Sequence, residues 1–318
     1  MALPNRPEPA ISLHSARSLA QLTSEFGGST NKPSAEVLDV AAPEHASIQS
    51  LVPILHPGSI KNLHRAAAVL VDPSLASRIQ HHARWEHPFP RFALARLLSS
   101  LEDPVANQPS ISPHAIIEPN VTLGHRVTIG HGAVLLAGAS IGNDTIVSPR
   151  AVIYGSTFVG DRVVIGAGAV IGRPGFGWAQ GPDGTTIRMP QLGGVVIEDD
   201  VEIGPLATID AGTLHPTRLR SGCKLDAQVH VGHNVDIGEA TFIAAQSGFA
   251  GSSTIGHHVL IGGQVGVADH VTIGNHAQLA GRSGVIGSIP PHAKVAGYPA
   301  VDRMRWLRAV AKLMRGKP

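Results

Sequence analysis

The sequence predicts a mainly β protein whose larger part is a parallel β-helix, and three observations lead to this prediction. Gly and Pro are frequent, with 36 and 24 of 318 residues, whereas aromatic residues make up only 4%. Such a composition is typical of turn-rich repeats and not of a helical core. Apolar residues also recur every six positions from Ile111 onward. A period of six matches neither an α-helix nor an alternating strand, but it fits a short flat strand followed by a corner.

The six-residue repeat extends through three runs, Ile111 to Ile171, Ile197 to Ile209 and Leu219 to Val285, which contain 26 apolar positions in phase. Three hexads make one triangular coil of 18 residues, so we expect about nine coils and a prism roughly 40 Å long. The apolar residue of each hexad should point inward. Gly or Asn should occupy the corners.

Two segments flank the repeat, and one interrupts it. We predict a small α/β domain over residues 1–105, with helices near 19–26 and 91–101 and a strand within 66–72. The β-helix should span residues 106–290, and a basic helix should lie within residues 291–318. The Gly-rich loop 173–194 interrupts the β-helix, and long loops in compact repeat proteins are usually functional or disordered. The alternative is a loop whose aromatic residues only cap the prism.

Composition and charge exclude several classes of protein. The formal net charge is +2 with 15% charged residues, so a nucleic-acid footprint is not expected. Cys223 is the single cysteine, which excludes an intrachain disulfide framework and favours the reducing cytoplasm. The sequence has neither a secretory apolar core at its start nor a long apolar stretch, so we expect a soluble protein.

Among the 18 histidines, His233 and His270 are the candidates for chemistry. They are 37 residues apart, two coils plus one residue, so they should lie on one face roughly 10 Å apart along the prism. Asp226 precedes His233 by seven residues, around a corner. A carboxylate there could orient the imidazole of a general base, although such a pair is also typical of purely structural residues.

Several motifs together resemble the UDP-3-O-(3-hydroxyacyl)glucosamine N-acyltransferases of lipid A biosynthesis. They are GRPGFGWA, KLDAQVHVGHNV, VLIGGQVGVADH and AGYPA, which lie in register between about residues 105 and 310. The resemblance implies a left-handed β-helix, a homotrimer with its active site between subunits, and transfer of a hydroxyacyl chain from acyl carrier protein to the 2-amino group of a glucosamine nucleotide. It implies His233 as general base, Asp226 as its orienting group and His270 as a ligand of the acyl thioester.

The same resemblance implies substrate contacts and requires no metal or redox cofactor. A backbone N–H near Gly251 would stabilise the oxyanion, small residues would leave room for a fatty chain, and Ile286 would limit its length. The implied substrate-binding residues are Phe176, Trp178, Gln191, Asn234, Gly251, Gln264, Gly284, Ile286 and His56.

The resemblance implies that the N-terminal domain, residues 1–105, is of nucleotide-binding type, but the sequence departs from the family there. Pro53, His56 and Ser59 stand where the family has Phe, Asn and Tyr, so both rings that would stack on uracil are absent. The family's Asp-Arg-Gly is Asp210, Ala211 and Gly212 here, and the Asn after Asp226 is Ala227. Either the uridine is held differently, or the acceptor is another sugar nucleotide.

Other functions remain open at this point. A relative could acylate a different amino sugar. A γ-type carbonic anhydrase also uses such a prism, but it needs three histidines around zinc with a spacing that is absent around His233. A non-enzymatic scaffold would not require His233, Asp226 and His270 in register.

The C-terminal segment is predicted to form a short basic amphipathic helix. We expect Arg303, Arg305, Arg308 and Lys312 to dock the acidic acyl carrier protein. The alternatives are a solvated tail or peripheral contact with an anionic membrane surface.

Overall fold

The computed structural model describes residues 10–56, 58, 63–79, 83–102 and 109–315. The chain divides into two compact units, Met1–Asn107 and Gln108–Pro318. Ser59, Lys317, the first nine residues and most of the segment 103–110 lie outside the described residues. The predicted fold class, a left-handed parallel β-helix with a small α/β unit before it and a helix after it, is confirmed.

The N-terminal unit is a mixed six-stranded sheet with the order β1-β3-β4-β5-β6-β2, in which β3 to β6 run parallel. Its first helix begins at a capping box, because Ser18 and Gln21 each bond the other's backbone N–H, at 3.2 and 2.7 Å. Leu19, Leu22 and Phe26 form its buried face, as their spacing predicts. The elements are β1 (Ala10–Ser18), α1 (Leu19–Phe26), β2 (Ser29–Thr30), β3 (Glu36–Ala41), β4 (Ser50–Pro53), β5 (Ala68–Val71), α2 (Pro73–Ala76), β6 (Arg84–Glu86) and α3 (Pro90–Ser99), with 3₁₀ turns at Pro43–His45 and Leu63–Arg65.

The second unit is a triangular prism with three faces, each a sheet of short strands that run parallel, apart from the last strand of the third face. The first face contains β7 (Ile116–Ile117), β10 (Val134–Leu135), β13 (Val152–Ile153), β16 (Val170–Pro174), β21 (Thr208–Ala211), β24 (His230–Val231), β27 (Gly248–Phe249), β30 (Gly266–Val267) and β33 (Gly284–Val285). The second face contains β8 (Thr122–Leu123), β11 (Ser140–Ile141), β14 (Thr157–Val159), β19 (Val195–Ile197), β22 (Thr217–Leu219), β25 (Asp236–Ile237), β28 (Thr254–Ile255) and β31 (Thr272–Ile273). The third face contains β9 (Thr128–Ile129), β12 (Ile146–Val147), β15 (Val164–Ile165), β20 (Glu202–Ile203), β23 (Lys224–Leu225), β26 (Phe242–Ile243), β29 (Leu260–Ile261), β32 (Gln278–Leu279), β34 (Lys294–Ala296) and β35 (Val301–Asp302).

The hexad residues fill the interior of the prism. Leu135 pairs with Ile153, and Ile153 with Ile171, one coil apart, and all three side chains are fully buried. Removing such aliphatic side chains from water is the main stabilising contribution to the solenoid. Cys223 belongs to the same core, and burial raises the pKa of its thiol to about 12, so it holds no thiolate at neutral pH.

The corners agree only in part with the expectation of Gly or Asn, because Gly168 and Asn234 are corner residues with left-handed backbone but other residue types occupy many corners. Gln228, Gln246 and Gln264 all adopt left-handed backbone, with φ of 60°, 63° and 60°. A non-Gly residue there costs roughly 1 kcal/mol or more. Side-chain hydrogen bonds offset this cost, because Gln264 donates to Gln246 at 2.8 Å and Gln246 donates to Gln228 at 2.9 Å.

The two interruptions of the repeat lie against each other. The loop 173–194 contains a hairpin, β17 (Trp178–Gln180) and β18 (Thr186–Arg188). The end of the loop is joined to the insertion at 212–216 by two backbone hydrogen bonds. The Leu192 N–H donates to the Thr213 carbonyl at 3.0 Å, and the Gly193 N–H donates to the Gly212 carbonyl at 2.8 Å.

After the last coil the chain continues through β34 and β35 into helix α4 (Arg303–Arg315). Trp306 packs on Gly297, where a Cβ would stand 2.1 Å from the indole ring. Across the described ranges, each helix is too short or too polar to cross a bilayer.

Candidate active site

One groove of about 730 Å³ collects six of the predicted site residues. It follows the first face and the corner after it, so His233 and His270 lie in the same groove, two coils apart. Its predicted members are Phe176, His233, Gly251, His270, Gly284 and Ile286.

The imidazole of His233 is held by its neighbour Asn234. Nδ1 of His233 lies 3.0 Å from Oδ1 of Asn234. That amide oxygen also accepts a hydrogen bond from the backbone N–H of Thr213, at 3.1 Å, and lies 2.9 Å from the Thr213 hydroxyl. The Asn234 amide nitrogen donates to the His215 carbonyl at 2.9 Å, which fixes the orientation of the amide. Asn234 is therefore a rigid support for the ring.

This arrangement determines the tautomer of His233. An amide oxygen can only accept hydrogen bonds, so Nδ1 of His233 must carry a proton. The neutral imidazole then has its free lone pair on Nε2. Nε2 is consequently able to act as a proton acceptor in the groove.

Gln191 belongs to the same hydrogen-bond network, but it contacts Thr213 and not Asn234. The Thr213 hydroxyl lies 2.8 Å from Oε1 of Gln191, so this side chain supports Thr213 and does not line the groove. The network joins the loop 173–194 to the insertion at 212–216. Both interruptions therefore help Asn234 to position the imidazole of His233.

Asp226 does not fill its predicted place. The carboxylate accepts hydrogen bonds from the backbone N–H groups of Ala227, at 2.7 Å, and Ala245, at 3.2 Å. It lines a separate groove of about 690 Å³ together with Lys224 and Arg303. The prediction of an Asp226–His233 dyad within one chain is wrong. The two residues are seven positions apart in the sequence, and over that length the chain crosses a whole face of the prism. Asp226 lies at the corner before β24, and His233 lies at the corner after it.

Gln264 also lies outside the His233 groove. Besides its bond to Gln246, it accepts a hydrogen bond from Nε of Arg282 at 2.8 Å. Its side chain is part of the amide ladder on the Asp226 corner. The substrate contact implied for Gln264 therefore stays a prediction, and the residue is not part of the His233 groove.

Gly251 lies directly against the imidazole. A Cβ on this residue would stand 2.5 Å from Cε1 and 2.6 Å from Nε2 of His233. Its carbonyl accepts a hydrogen bond from the His270 N–H at 3.2 Å. In the described part of the chain its own N–H donates no hydrogen bond, so this donor is available beside the base.

A column of three glycines forms the base of the groove. Gly248, Gly266 and Gly284 pair with one another in successive coils. A Cβ on Gly248 or Gly266 would meet no atom within 4 Å, whereas one on Gly284 would stand 1.7 Å from the ring of Tyr298. The room expected at Gly284 is therefore taken by Tyr298, which comes from the chain after the last coil and which sequence reasoning missed.

Asp210 is a second residue that the sequence did not single out as functional. Its carboxylate is 1% exposed and lines the groove. Oδ1 lies 3.0 Å from Nε of Arg173, and Oδ2 lies 3.8 Å from Nε2 of His230. Burial raises the pKa of the Asp210 carboxyl, and the positive charge of Arg173 opposes that shift. The signal in the sequence was its position at the end of a hexad run, directly before the insertion.

The remaining predicted residues are distributed elsewhere. Trp178 is half-exposed on the hairpin and does not line the groove. His56, in the N-terminal unit, accepts a hydrogen bond from the Gly58 N–H at 3.0 Å. Arg305, Arg308 and Lys312 are exposed on α4. Among the described residues, no group of three His, Cys, Asp or Glu side chains is placed to hold a metal ion.

Comparison with known proteins confirms the resemblance seen in the sequence. The bacterial transferase hexapeptide family (six repeats) matches residues 138–173. Proteins named UDP-3-O-acylglucosamine N-acyltransferase are similar over part of the chain. The protein of Thermosynechococcus vestitus is 52% identical over 44% of this chain and 42% of its own length. That of Anaeromyxobacter dehalogenans is 44% identical over 57% of this chain and 53% of its own. The matched region thus spans about half the length of these relatives.

Solved structures agree on the fold. A UDP-N-acetylglucosamine acyltransferase from Campylobacter jejuni is similar with a TM-score of 0.56 and 25% identity, over 66% of this chain and 86% of its own. A UDP-N-acetylglucosamine O-acyltransferase from Moraxella catarrhalis gives the same TM-score and identity, over 63% of this chain and 77% of its own.

Proposed function

We propose that this protein is an N-acyltransferase that moves a hydroxyacyl chain from acyl carrier protein to the 2-amino group of a UDP-3-O-acylglucosamine-type acceptor. The observation that supports this most directly is the His233 site, where Nε2 has a free lone pair and the Gly251 N–H has no partner among the described residues. The names of the two relatives described above support the same reaction and acceptor.

The proposed mechanism needs only groups of the chain. The acceptor amine attacks the thioester carbonyl, and Nε2 of His233 removes a proton from the amine nitrogen. The Gly251 N–H donates to the oxyanion of the tetrahedral intermediate. As the intermediate collapses, the C–S bond breaks, and the imidazolium returns the proton to the departing thiol. The acyl chain arrives on the phosphopantetheine of the carrier, and His270 binds the thioester.

The groove also suggests where the acyl chain lies. The glycine column leaves open space at Gly248 and Gly266, and Tyr298 closes it at Gly284. An extended acyl chain can lie in this space, directly against the polypeptide backbone. Tyr298 and Ile286 then limit its length.

The acceptor could be a different nucleotide-linked amino sugar, and the N-terminal unit favours this second candidate. Pro53 lies in strand β4 and His56 caps a local turn, where the family has residues that bind uridine. Base stacking on an aromatic ring contributes roughly 1 to 3 kcal/mol, so their loss weakens one acceptor contact.

Incubation with hydroxyacyl carrier protein and a panel of amino-sugar nucleotides tests both candidates. We expect an amide-linked acyl product, identified by mass spectrometry, with UDP-3-O-acylglucosamine. Acylation of another amino sugar alone would favour the second candidate. No transfer to any amine would contradict the proposed activity.

Helix α4 is proposed to dock the carrier protein. Reversing two exposed charges, Arg305→Glu and Arg308→Glu together, should raise KM for the carrier-bound donor about tenfold and weaken its salt dependence, because exposed ion pairs contribute up to roughly 1 kcal/mol each. Turnover with a short pantetheine thioester should not change. The matched control reverses Arg78 and Arg91, two exposed arginines of the N-terminal unit. Equal loss with both donors would show that α4 is not the docking site.

We further propose a homotrimer with the active site between subunits. Triangular prisms offer flat faces that pack around a threefold axis, and the groove with His233 and His270 follows such a face. Light scattering should give three times the mass of one chain. A fully active, stable monomer would rule this assembly out.

A further inference from the structure

Asp210 is a buried carboxylate in the groove that the mechanism above leaves unused. Its side chain is 1% exposed, yet in the described part of the chain its Oδ1 accepts no well-aligned hydrogen bond. A carboxylate in that situation is costly unless cations lie close to it. Its charge is therefore available to act on the groups around it.

His233 is one of those groups. A Cβ on Gly175 would stand 3.0 Å from Oδ2 of Asp210 and 3.2 Å from Cβ of His233. Both side chains thus pack against the same glycine, with no larger residue between them. The small size of Gly175 at the start of the interrupting loop permits this approach.

We propose that Asp210 is the carboxylate that sets the basicity of His233, acting through space as a positioning residue, and that Arg173 moderates its charge. This inference depends on the proposed role of His233 as the base. The chain supplies Asn234 to fix the tautomer and Asp210 to stabilise the imidazolium, two tasks that one aspartate combines in many hydrolases.

The register of the first face places Arg173 beside Asp210. Strand β16 extends past its hexad position, so that Arg173 pairs with Asp210 and Pro174 with Ala211 across the ladder. The guanidinium side chain is 38% exposed. Because it neutralises part of the Asp210 charge, its removal should strengthen the field at His233 and not weaken it.

The other charged and titratable groups of the site come from several elements. His230 lies on β24 next to Asp210, and its Nδ1 bonds the Thr208 hydroxyl at 2.7 Å. Arg188 of β18 donates to the Pro174 carbonyl at 3.0 Å, which holds the start of the loop. The further groups near or along the groove are His215, Asp269, His270 and Tyr298. Tyr298 lies on Gly284, three coils from His230.

Two substitutions with opposite expected shifts test the proposal. In Asp210→Asn the loss of a negative charge should destabilise the imidazolium of His233, so the acidic limb of the kcat/KM profile should move down by about one pH unit. The rate on the plateau should fall about tenfold, because the imidazolium is less stabilised. Arg173→Gln should move the same limb to higher pH. Asp236→Asn is the control, since it removes an equal charge paired with Arg220 on the second face and should shift nothing.

The titration of His233 should also be measured directly, from the pH dependence of its modification by diethyl pyrocarbonate, followed by peptide mass spectrometry. Opposite shifts in the two variants support the proposal. Shifts in the same direction, or none, would overturn it and leave Asp210 as a structural partner of Arg173. If the wild-type protein forms no amide with any acceptor, the proposed function fails, while this titration still decides the electrostatic coupling.

Discussion

Replacing His233 with alanine should lower kcat/KM for acyl transfer by about 10²- to 10⁴-fold, the usual loss when a general base is removed. The melting temperature should change little. His233 is partly exposed and outside the apolar core, and Asn234 keeps its bonds to Thr213 and His215. Steady-state kinetics with a short thioester donor and thermal unfolding of the same sample measure the two effects.

His258→Ala is the matched control for this substitution. His258 lies at another corner of the prism, stacked on His276 with ring centroids 5.0 Å apart, and does not line the groove. Its backbone is left-handed, but Ala240 occupies the same kind of corner one coil earlier with a φ of 49°, so alanine is tolerated there. Full activity of His258→Ala beside full activity of His233→Ala would contradict the assignment of the base.

The prism could be predicted from the sequence because each six-residue repeat carries the pattern that produces it. Each hexad repeats the same requirement, one inward aliphatic residue per short strand, so Ile129 and Leu225 are buried for the same reason although they lie in different coils. Positions two coils apart then share a face. This is why His233 and His270 were correctly expected in one groove.

The interactions that the sequence did not predict arise where the repeat is broken. Asn234 accepts a hydrogen bond from the backbone N–H of Thr213 in the insertion, and the Thr213 hydroxyl in turn contacts Gln191 of the loop. Asp210 pairs with Arg173 through an irregular register. Periodicity contains no information on such side-chain geometry. Tyr298 reaches Gly284 only because the chain turns back after the last coil.

Asp226 shows the limit of spacing arguments in particular. Seven residues are one hexad plus one, and we interpreted the extra residue as a step around a corner. The hexad is a full face of the triangle, so the two side chains lie at its opposite ends. The adjacent residue Asn234 was the better candidate, since asparagine readily takes the left-handed corner beside the base, here with φ of 60°.

The contact between Gly251 and the base leads to the second large effect. Gly251→Ala should lower kcat/KM by about 10²-fold, because the new Cβ would stand 2.5 Å from Cε1 of His233 and force the imidazole to move. A displacement of about 1 Å at a reacting group is enough for such a loss. The backbone of Gly251 is not left-handed, so alanine itself fits the main chain. The N–H proposed for the oxyanion also remains, and the loss therefore reports the position of the ring.

Gly266→Ala provides the comparison for this experiment. Gly266 lies in the same groove, but a Cβ there meets no atom within 4 Å. With a short-chain thioester donor, Gly266→Ala should keep the wild-type rate while Gly251→Ala does not, and both should unfold near the wild-type temperature. The bond between His233 and Asn234 should also be weakened in Gly251→Ala alone, visible as a change in the Nδ1 proton resonance of His233. If Gly251→Ala retained full activity with that resonance unmoved, the ring would not lie against Gly251, and the geometry assigned to the base would have to be abandoned.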